Sequence, residues 1–310
     1  MSLRRWQPDR VLTLEGARAA IQERFPHIAT DGLRHLGSGW EFDAYLTSDG
    51  WVFRFPRRRE CADFLDREVR VLAVVRAALP AAVAVPKVEL LGPPTDEFPY
   101  PFAGHRFIAG IGADRIEPRC YAALANDVGK ALGDLHAVPD PVAHAAGIHR
   151  MHEDPLASEA WFDHGLAIAT ELLGMDAVVD AAIRWMHGLR PPLHRYDEPW
   201  CLIHHDLGPE HLIVDPESGQ LVGIIDWTDA IIGDPARDIA VFVPSLGWPF
   251  TQAVLHSYPR PLDVGFADRL QFLARLLATM WLTEAYEQQG EVQKHMTWVK
   301  RAFADSKYAG

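Results

Sequence analysis

The chain has 310 residues, 48% of them hydrophobic, with 23 Gly and 23 Pro, an ordinary globular composition with enough length for one large domain or two lobes. Its formal net charge of −12 argues against nucleic acid as the main partner, which would need a basic surface, and agrees with a cationic small molecule or simply with solubility. Cys61, Cys120 and Cys201 are too scattered for a zinc or redox pair, and neither a signal-peptide core near the N-terminus nor an apolar run of ~18 residues is present, so a cytoplasmic protein that does not enter membranes is expected, its oligomeric state not legible.

From Thr13 to Phe25 the residues Ala17, Ala20, Ile21 and Phe25 recur on one side, Thr13 can cap the start and Pro26 stops the run, which predicts a helix. Leu33 to Phe55 reads as strands. Within it, Leu36-Gly37-Ser38-Gly39-Trp40 predicts a glycine-containing turn and Ser48-Asp49-Gly50 a hairpin turn of the Asp-Gly kind. A period of two in Trp51 to Phe55 puts three aromatics on one face and Val52 with Arg54 on the other. Arg57, Arg58 and Arg59 read as a solvated run. Glu60 to Leu79 then predicts a helix, with Phe64, Leu65, Val69, Leu72, Val75 and Leu79 at helical spacing.

Val85 to Gly110 is rich in proline and aromatics, and after it the pattern becomes helical. Ile116 to Val138 carries Cys120, Leu124, Val128, Leu132 and Leu135 on one face, with His136 near its end as a core or capping residue. Two helices are expected between Glu153 and Leu189, separated at Gly174, and further ones over Asp234 to Leu246, Phe266 to Gln289 and Glu291 to Phe303. Trp281, Glu284 and Glu287 fall near one another on the second of these last three.

The densest chemistry lies in Trp200 to Val241. The apolar run Cys201-Leu202-Ile203 delivers His204, His205 and Asp206 into a loop holding Gly208 and Pro209. His211 to Val214 and Leu221 to Ile225 then flank the turn residues Asp215 to Gly219, a hairpin that returns Asp226 to the neighbourhood of His211. Each residue also has a plainer reading: Asp206 as a turn residue and Asp226 as a helix cap. Their joint spacing is what those readings leave unexplained.

That spacing resembles the aminoglycoside and macrolide phosphotransferases, antibiotic kinases with a protein-kinase-like fold. The matching residues are His204-x-Asp206, His211, Ile225-Asp226-Trp227 and Gly233-Asp234-Pro235-x-x-Asp238. The resemblance implies an α+β, two-lobed kinase-like architecture: a β-rich N-terminal lobe over residues 1–104 and a hinge with a mainly helical lobe over 105–310. It implies Asp206 as the carboxylate that orients the attacking hydroxyl, Asp226 as a Mg2+ ligand, and His204 and Asp238 as supports of the loop. His211 stands where asparagine is commoner, and since magnesium prefers oxygen donors it stays open between metal ligand and hydrogen-bonding residue.

In the first lobe the resemblance implies that Gly37, Ser38 and Gly39 let backbone amides approach the phosphates of ATP or GTP, with Arg54 engaging their oxygens and Glu68 pairing with Arg54. Arginine replaces the usual lysine there, and a surface salt bridge is the plainer alternative. Arg106 and Ile108 fall where backbone groups of the hinge meet the purine. The function implied is transfer of a γ-phosphoryl group to a hydroxyl of an aminoglycoside or macrolide. Kinases of metabolic alcohols such as homoserine or choline share this vocabulary. Two rival readings are a metal-dependent phosphohydrolase using His204, His205, Asp206 and His211, and a nucleotide-binding regulator without catalysis.

Overall fold

The computed structural model describes residues 7–151, 159–189 and 200–304. Residues 1–6 and the first part of the helical region expected from Glu153 therefore lie outside the described residues. Two compact units make up the chain: Met1–Ala77 with Ala84–Ala109, and Ala78–Val83 with Gly110–Gly310.

In the first unit, α1 (Leu14–Arg24) starts where the Thr13 hydroxyl accepts the Gly16 N–H, satisfying one of the amides that a helix start leaves open. Then come β1 (Arg34–Ser38), β2 (Phe42–Leu46), β3 (Trp51–Pro56), α2 (Arg59–Ala78), β4 (Leu90–Gly92) and β5 (Phe102–Arg106). The strands form one antiparallel sheet in the order β1-β2-β3-β5-β4. Gly50 closes the β2–β3 hairpin at φ 85, a conformation that a β-carbon resists. Trp51, Phe53 and Phe55 turn to one face, joining Tyr45, Phe98 and Phe102 in the core, where Phe55 stacks on Phe102 at 4.5 Å. On the other face Phe42 and Ala103 cluster with Leu65 of α2.

One position of α2 departs from the expected stripe. Val69 is exposed, and the buried residues are Cys61, Leu65, Glu68, Val71, Leu72 and Val75. A charged residue occupies the inward stripe, so a pattern read from apolar residues alone slips by one position around Glu68.

His105 of β5 is buried, and desolvation pushes its imidazole down to about 4, although its Nδ1–H bonds the Arg106 carbonyl at 2.9 Å. An unfolded imidazole titrates near ~6.5. As pH falls the unfolded chain therefore binds the proton first, and stability drops by roughly 2 kcal/mol by about pH 5. Denaturant unfolding at neutral and mildly acidic pH checks this, with His105→Gln expected to lose less on acidification than the wild type.

The second unit contains β6 (Ile111–Gly112), α3 (Tyr121–Leu135), α4 (Asp140–Ala145), α5 (Glu159–Ala169), α6 (Ala177–Gly188), β7 (Cys201–Ile203), β8 (Leu212–Val214), β9 (Leu221–Ile224) and β10 (Ile231–Gly233). It ends with α7 (Ala236–Ala240), α8 (Phe242–Ser245), α9 (Trp248–Ser257), α10 (Phe266–Glu287) and α11 (Val292–Phe303). Phe162, Ile183, Met186, Phe272, Met280 and Val299 build a core shared by α5, α6, α10 and α11. α3 lies close against α9 because Gly129 has no side chain: a β-carbon there would sit 2.5 Å from the Val254 carbonyl oxygen. Two small sheets, β6-β8-β9 and β10-β7, carry the His- and Asp-rich stretch.

The single helix expected over Asp234 to Leu246 is two short ones, α7 and α8. Pro244 has no N–H for the carbonyl of Ala240, four residues back, and α7 ends there. α4 and α9 were not anticipated, although Pro249 at the first turn of α9 is a recognisable start signal. Among the described residues no helix is long and apolar enough to cross a membrane.

Candidate active site

β7 pairs with β10, Ile203 opposite Ile231, and releases the chain into a loop at His204. The first two amides of that loop, from His204 and His205, each donate at 2.8 Å to the carboxylate of Asp238 on α7. Asp238 is fully buried and also accepts from His136 Nε2 at 3.2 Å, while His136 Nδ1 accepts from the Tyr258 hydroxyl at 2.8 Å. Burial opposes charge on Asp238, but the hydrogen bond from His136 and the backbone N–H of His204 hold its carboxyl below the usual range.

The residues around Asp238 complete a clamp. Arg237 Nε donates to the His205 carbonyl at 3.0 Å. Asp234 accepts the Ala236 N–H at 2.9 Å and, at 2.8 Å, Arg269 Nε from α10. Both Arg269 terminal nitrogens bond Asp263 at 2.7 Å. His136, expected as a core or capping residue, is both and also joins this network, whereas Arg237 and Arg269 were missed by sequence reasoning. Arg237 sits inside the Gly-Asp-Pro-x-x-Asp run and could have been flagged; Arg269, one charged residue on an amphipathic helix, carried no signal.

Asp206 is half-buried. Its carbonyl accepts the Gly208 N–H at 3.0 Å and His211 Nδ1–H at 2.7 Å. The β8–β9 hairpin turns on Asp215, whose carboxylate accepts the Glu217 and Ser218 amides, and on Gly219 at φ 74. The Ile225 N–H then bonds the His211 carbonyl at 3.0 Å, bringing Asp226 beside that imidazole, with Asp226 Oδ2 3.8 Å from His211 Nε2. The Thr228 hydroxyl donates to Asp226 Oδ1 at 3.3 Å.

One imidazole thus bonds the backbone of Asp206 and faces the side chain of Asp226. Burial lowers the His211 pKa, but the charges of Asp226, Asp206 and Glu210 prevail and leave it raised. His204 shifts the other way, because burial and the neighbouring His211 disfavour its charge. Its Nε2–H bonds the Ile225 carbonyl at 2.9 Å and its ring lies 4.5 Å from Trp227. Two of the three non-glycine residues with positive φ among the described residues are His205 and Asp226. Such strained backbone gathers at functional sites.

In the first unit, Gly37 and Ser38 belong to β1 and the tight turn is Gly39 to Glu41, closed by the Gly39 N–H on the Phe42 carbonyl at 2.9 Å. The turn begins later than expected because a register shift between His35 and Gly37 lets β1 stay paired through Ser38. A β-carbon on Gly37 would meet nothing within 4 Å and one on Gly39 nothing nearer than 3.7 Å, so packing of the chain on itself demands glycine at neither. Arg54 donates to Glu68 and lies 4.3 Å over the Phe42 ring. With side chains 13% and 2% exposed, this is an inward-facing pair rather than a surface salt bridge.

Arg57 and Arg58 correct the reading of a solvated run. Their side chains are only 17% and 13% exposed, and they turn back on the glycine turn: Arg57 Nη1 donates to the Gly39 carbonyl and Arg58 Nη1 to the Trp40 carbonyl at 3.0 Å. Strand pairing explains it, because Pro56 stands opposite Phe42 and the next residue emerges beside Glu41. Arg106 ends β5 with its guanidinium 3.9 Å over Trp51 and bonded to the Asp49 carbonyl; Ile108 follows, half-buried. Trp281 of α10 packs on Trp298 at 5.5 Å, and Glu287 bonds His164 at 2.9 Å.

A family model described as the phosphotransferase enzyme family matches residues 32–272, more than half of the chain. The chain belongs to that family. This phosphotransferase is similar to viomycin phosphotransferase of Streptomyces vinaceus, with 28% identity over 264 residues, 83% of this chain and 88% of the relative. It is also similar to the uncharacterized protein YcbJ of Bacillus subtilis strain 168, with 26% identity over 241 residues, 71% of this chain and 72% of the relative. Among solved structures, the GDP complex of wild-type aminoglycoside 2'-phosphotransferase-IIIa gives a TM-score of 0.70 at 23% identity, covering 94% of this chain and 98% of that one. Macrolide 2'-phosphotransferase type I gives 0.64 at 21% identity, covering 95% and 99%. The fold of this phosphotransferase is accordingly kinase-like, with an antiparallel-sheet N-terminal part and a helical C-terminal part.

Proposed function

We propose that this phosphotransferase moves the γ-phosphoryl group of ATP or GTP to a hydroxyl of a small cationic antibiotic, of the aminoglycoside, macrolide or viomycin kind. The observation that carries the reading is the His211 ring, which bonds the Asp206 carbonyl and stands 3.8 Å from Asp226. One side chain thereby ties the backbone of Asp206 to the side chain of Asp226, the two residues whose carboxylates this reading needs: one to orient the acceptor hydroxyl, one to hold a metal against the phosphates.

Asp206 is assigned to the hydroxyl. Asp226 offers carboxylate oxygens, the hard donors magnesium prefers, on a side chain that is 41% exposed. His211 offers nitrogen, which suits softer ions than magnesium, so the reading gives it the work of orienting the loop through its Nδ1–H bond to the Asp206 carbonyl, with Nε2 facing Asp226. A magnesium ion bound with the nucleotide would neutralise phosphate charge. His204 and Asp238 hold the loop. In the first unit the glycine turn and Arg54, braced by Glu68, receive phosphate oxygens, and the backbone at Arg106 and Ile108 meets the purine.

Several observations support this assignment over its rivals. Neither Gly37, near the end of β1, nor Gly39 of the turn is required by the packing of the chain itself, which agrees with close approach by an anion. The net charge of −12 suits a cationic acceptor, and the relatives include enzymes named for viomycin, aminoglycosides and macrolides. A transition-metal hydrolase would need His204, His205, Asp206 and His211 to converge. His204 is instead committed to the Ile225 carbonyl, and among the described residues no group of three or more metal-binding side chains is so arranged.

The experiment is a phosphate-transfer screen with ATP and GTP against aminoglycosides, macrolides, viomycin and small alcohols including homoserine and choline. Transfer to the alcohols alone would replace the antibiotic reading with a metabolic one. If Asp226 holds the metal, Asp226→Ala abolishes the gain in nucleotide affinity that magnesium confers. Calorimetric titration with and without magnesium checks this, and an unchanged magnesium dependence in the variant would exclude Asp226 as the ligand.

A further inference from the structure

Arg57 and Arg58 have no place in the roles just assigned, yet both reach into the turn given to the phosphates. Their own backbone is tied down at its base. The Asp9 N–H donates to the Arg57 carbonyl at 3.0 Å, and Asp9 Oδ2 accepts the Arg59 N–H at 2.8 Å. The Arg57 N–H bonds the Glu41 carbonyl at 2.7 Å, and the two guanidinium groups grip the carbonyls of Gly39 and Trp40. Three successive carbonyls of one turn are therefore held by two neighbouring arginines.

We infer that Arg57 and Arg58 are positioning residues that set the Gly39–Glu41 turn for anionic phosphate oxygens. In a planar trans peptide the carbonyl and the following N–H point in opposite directions. Holding the Gly39 and Trp40 carbonyls toward the arginines turns the amides of Trp40 and Glu41 to the opposite side. A turn that opens on a glycine, Gly39, would otherwise sample many conformations, so this constraint removes an entropy cost that phosphate binding would have to meet. Charge adds a second effect. Glu41 and Asp43 lie in and beside the turn and would repel a phosphate, and Arg57 Nε stands 3.7 Å from Asp43 Oδ1. The inference rests on the reading that this turn receives nucleotide phosphates.

The test compares affinities for the purine nucleoside and its triphosphate in the full-length protein. Arg57→Ala and Arg58→Ala should each weaken the triphosphate by roughly tenfold, the effect of one lost charge-assisted hydrogen bond, and leave the nucleoside nearly unchanged. Arg57→Lys, which keeps a charge and a donor, should recover most of the loss. Combined with Gly39→Val, which would put a side chain where the phosphate is proposed to approach, the arginine effect should nearly vanish, because both changes act through one element. Additive losses would mean that the arginines act independently of the turn. An equal loss of nucleoside affinity would mean general damage to the unit. Either result, or unaltered triphosphate affinity, overturns the inference. Arg54→Ala separates the two claims: if it abolishes triphosphate binding while the Arg57 and Arg58 variants bind normally, the functional reading stands and only the positioning role fails.

Discussion

Replacing Asp206 by Asn lowers turnover by roughly 10²–10⁴-fold, the range for removing a positioned proton acceptor, and leaves nucleotide affinity within a few fold. Asn keeps the size and backbone of Asp206, so the Gly208 and His211 bonds to its carbonyl survive. On the assignment proposed above, what is lost is the charge that would orient and accept the proton of the acceptor hydroxyl, an interaction needed in the transition state more than in binding. Turnover and nucleotide affinity must be measured on the same preparation. A variant that binds nucleotide poorly but turns over normally would take Asp206 out of the acceptor role.

Asp238→Ala is expected to cost roughly 3–5 kcal/mol of folding stability, as for breaking a buried charged network by removing one partner. That is a large share of the 5–15 kcal/mol of a typical domain. The substitution strands the His204 and His205 amides and His136 Nε2, all within a buried site. Denaturant unfolding gives the cost directly, and an unchanged midpoint would show that the loop is held by other means. The sign of the pH dependence follows from the depressed Asp238 pKa. Its contribution is complete above the unfolded value of ~3.9 and disappears as pH falls through the lower folded value, so acid should narrow the gap between wild type and variant.

Much of the fold was legible because its signals are local. Thr13 caps α1, Ser48-Asp49-Gly50 turns β2 into β3, and the alternation of Trp51, Phe53 and Phe55 puts Arg54 on the opposite face. Two of the errors share one cause, which is that the deciding partner is remote in sequence. Val69 and Val71 were exchanged because Glu68 is buried by pairing with Arg54, 14 residues earlier. Arg57 and Arg58 looked solvated because their acceptors, the carbonyls of Gly39 and Trp40, belong to backbone and leave no mark in composition.

By itself, the sequence determined the order and spacing of the His204 to Asp238 stretch, and with it the family, because hairpin length and turn chemistry are set by neighbouring residues. Folding decided which of those residues touch. The Asp238 carboxylate meets the amides of His204 and His205 across more than 30 positions. His136 and Tyr258 close the same network from helical segments with no motif, and Arg269 locks Asp234 from α10. Only the packed chain also sets the direction of the two shifts: burial disfavours charge on His204, whereas Asp226 and Asp206 favour it on His211, whose ring centre is 5.8 Å away. A side chain's charge depends on the water it loses and the charges it gains, and both are set by residues that fold around it rather than by those beside it in the chain.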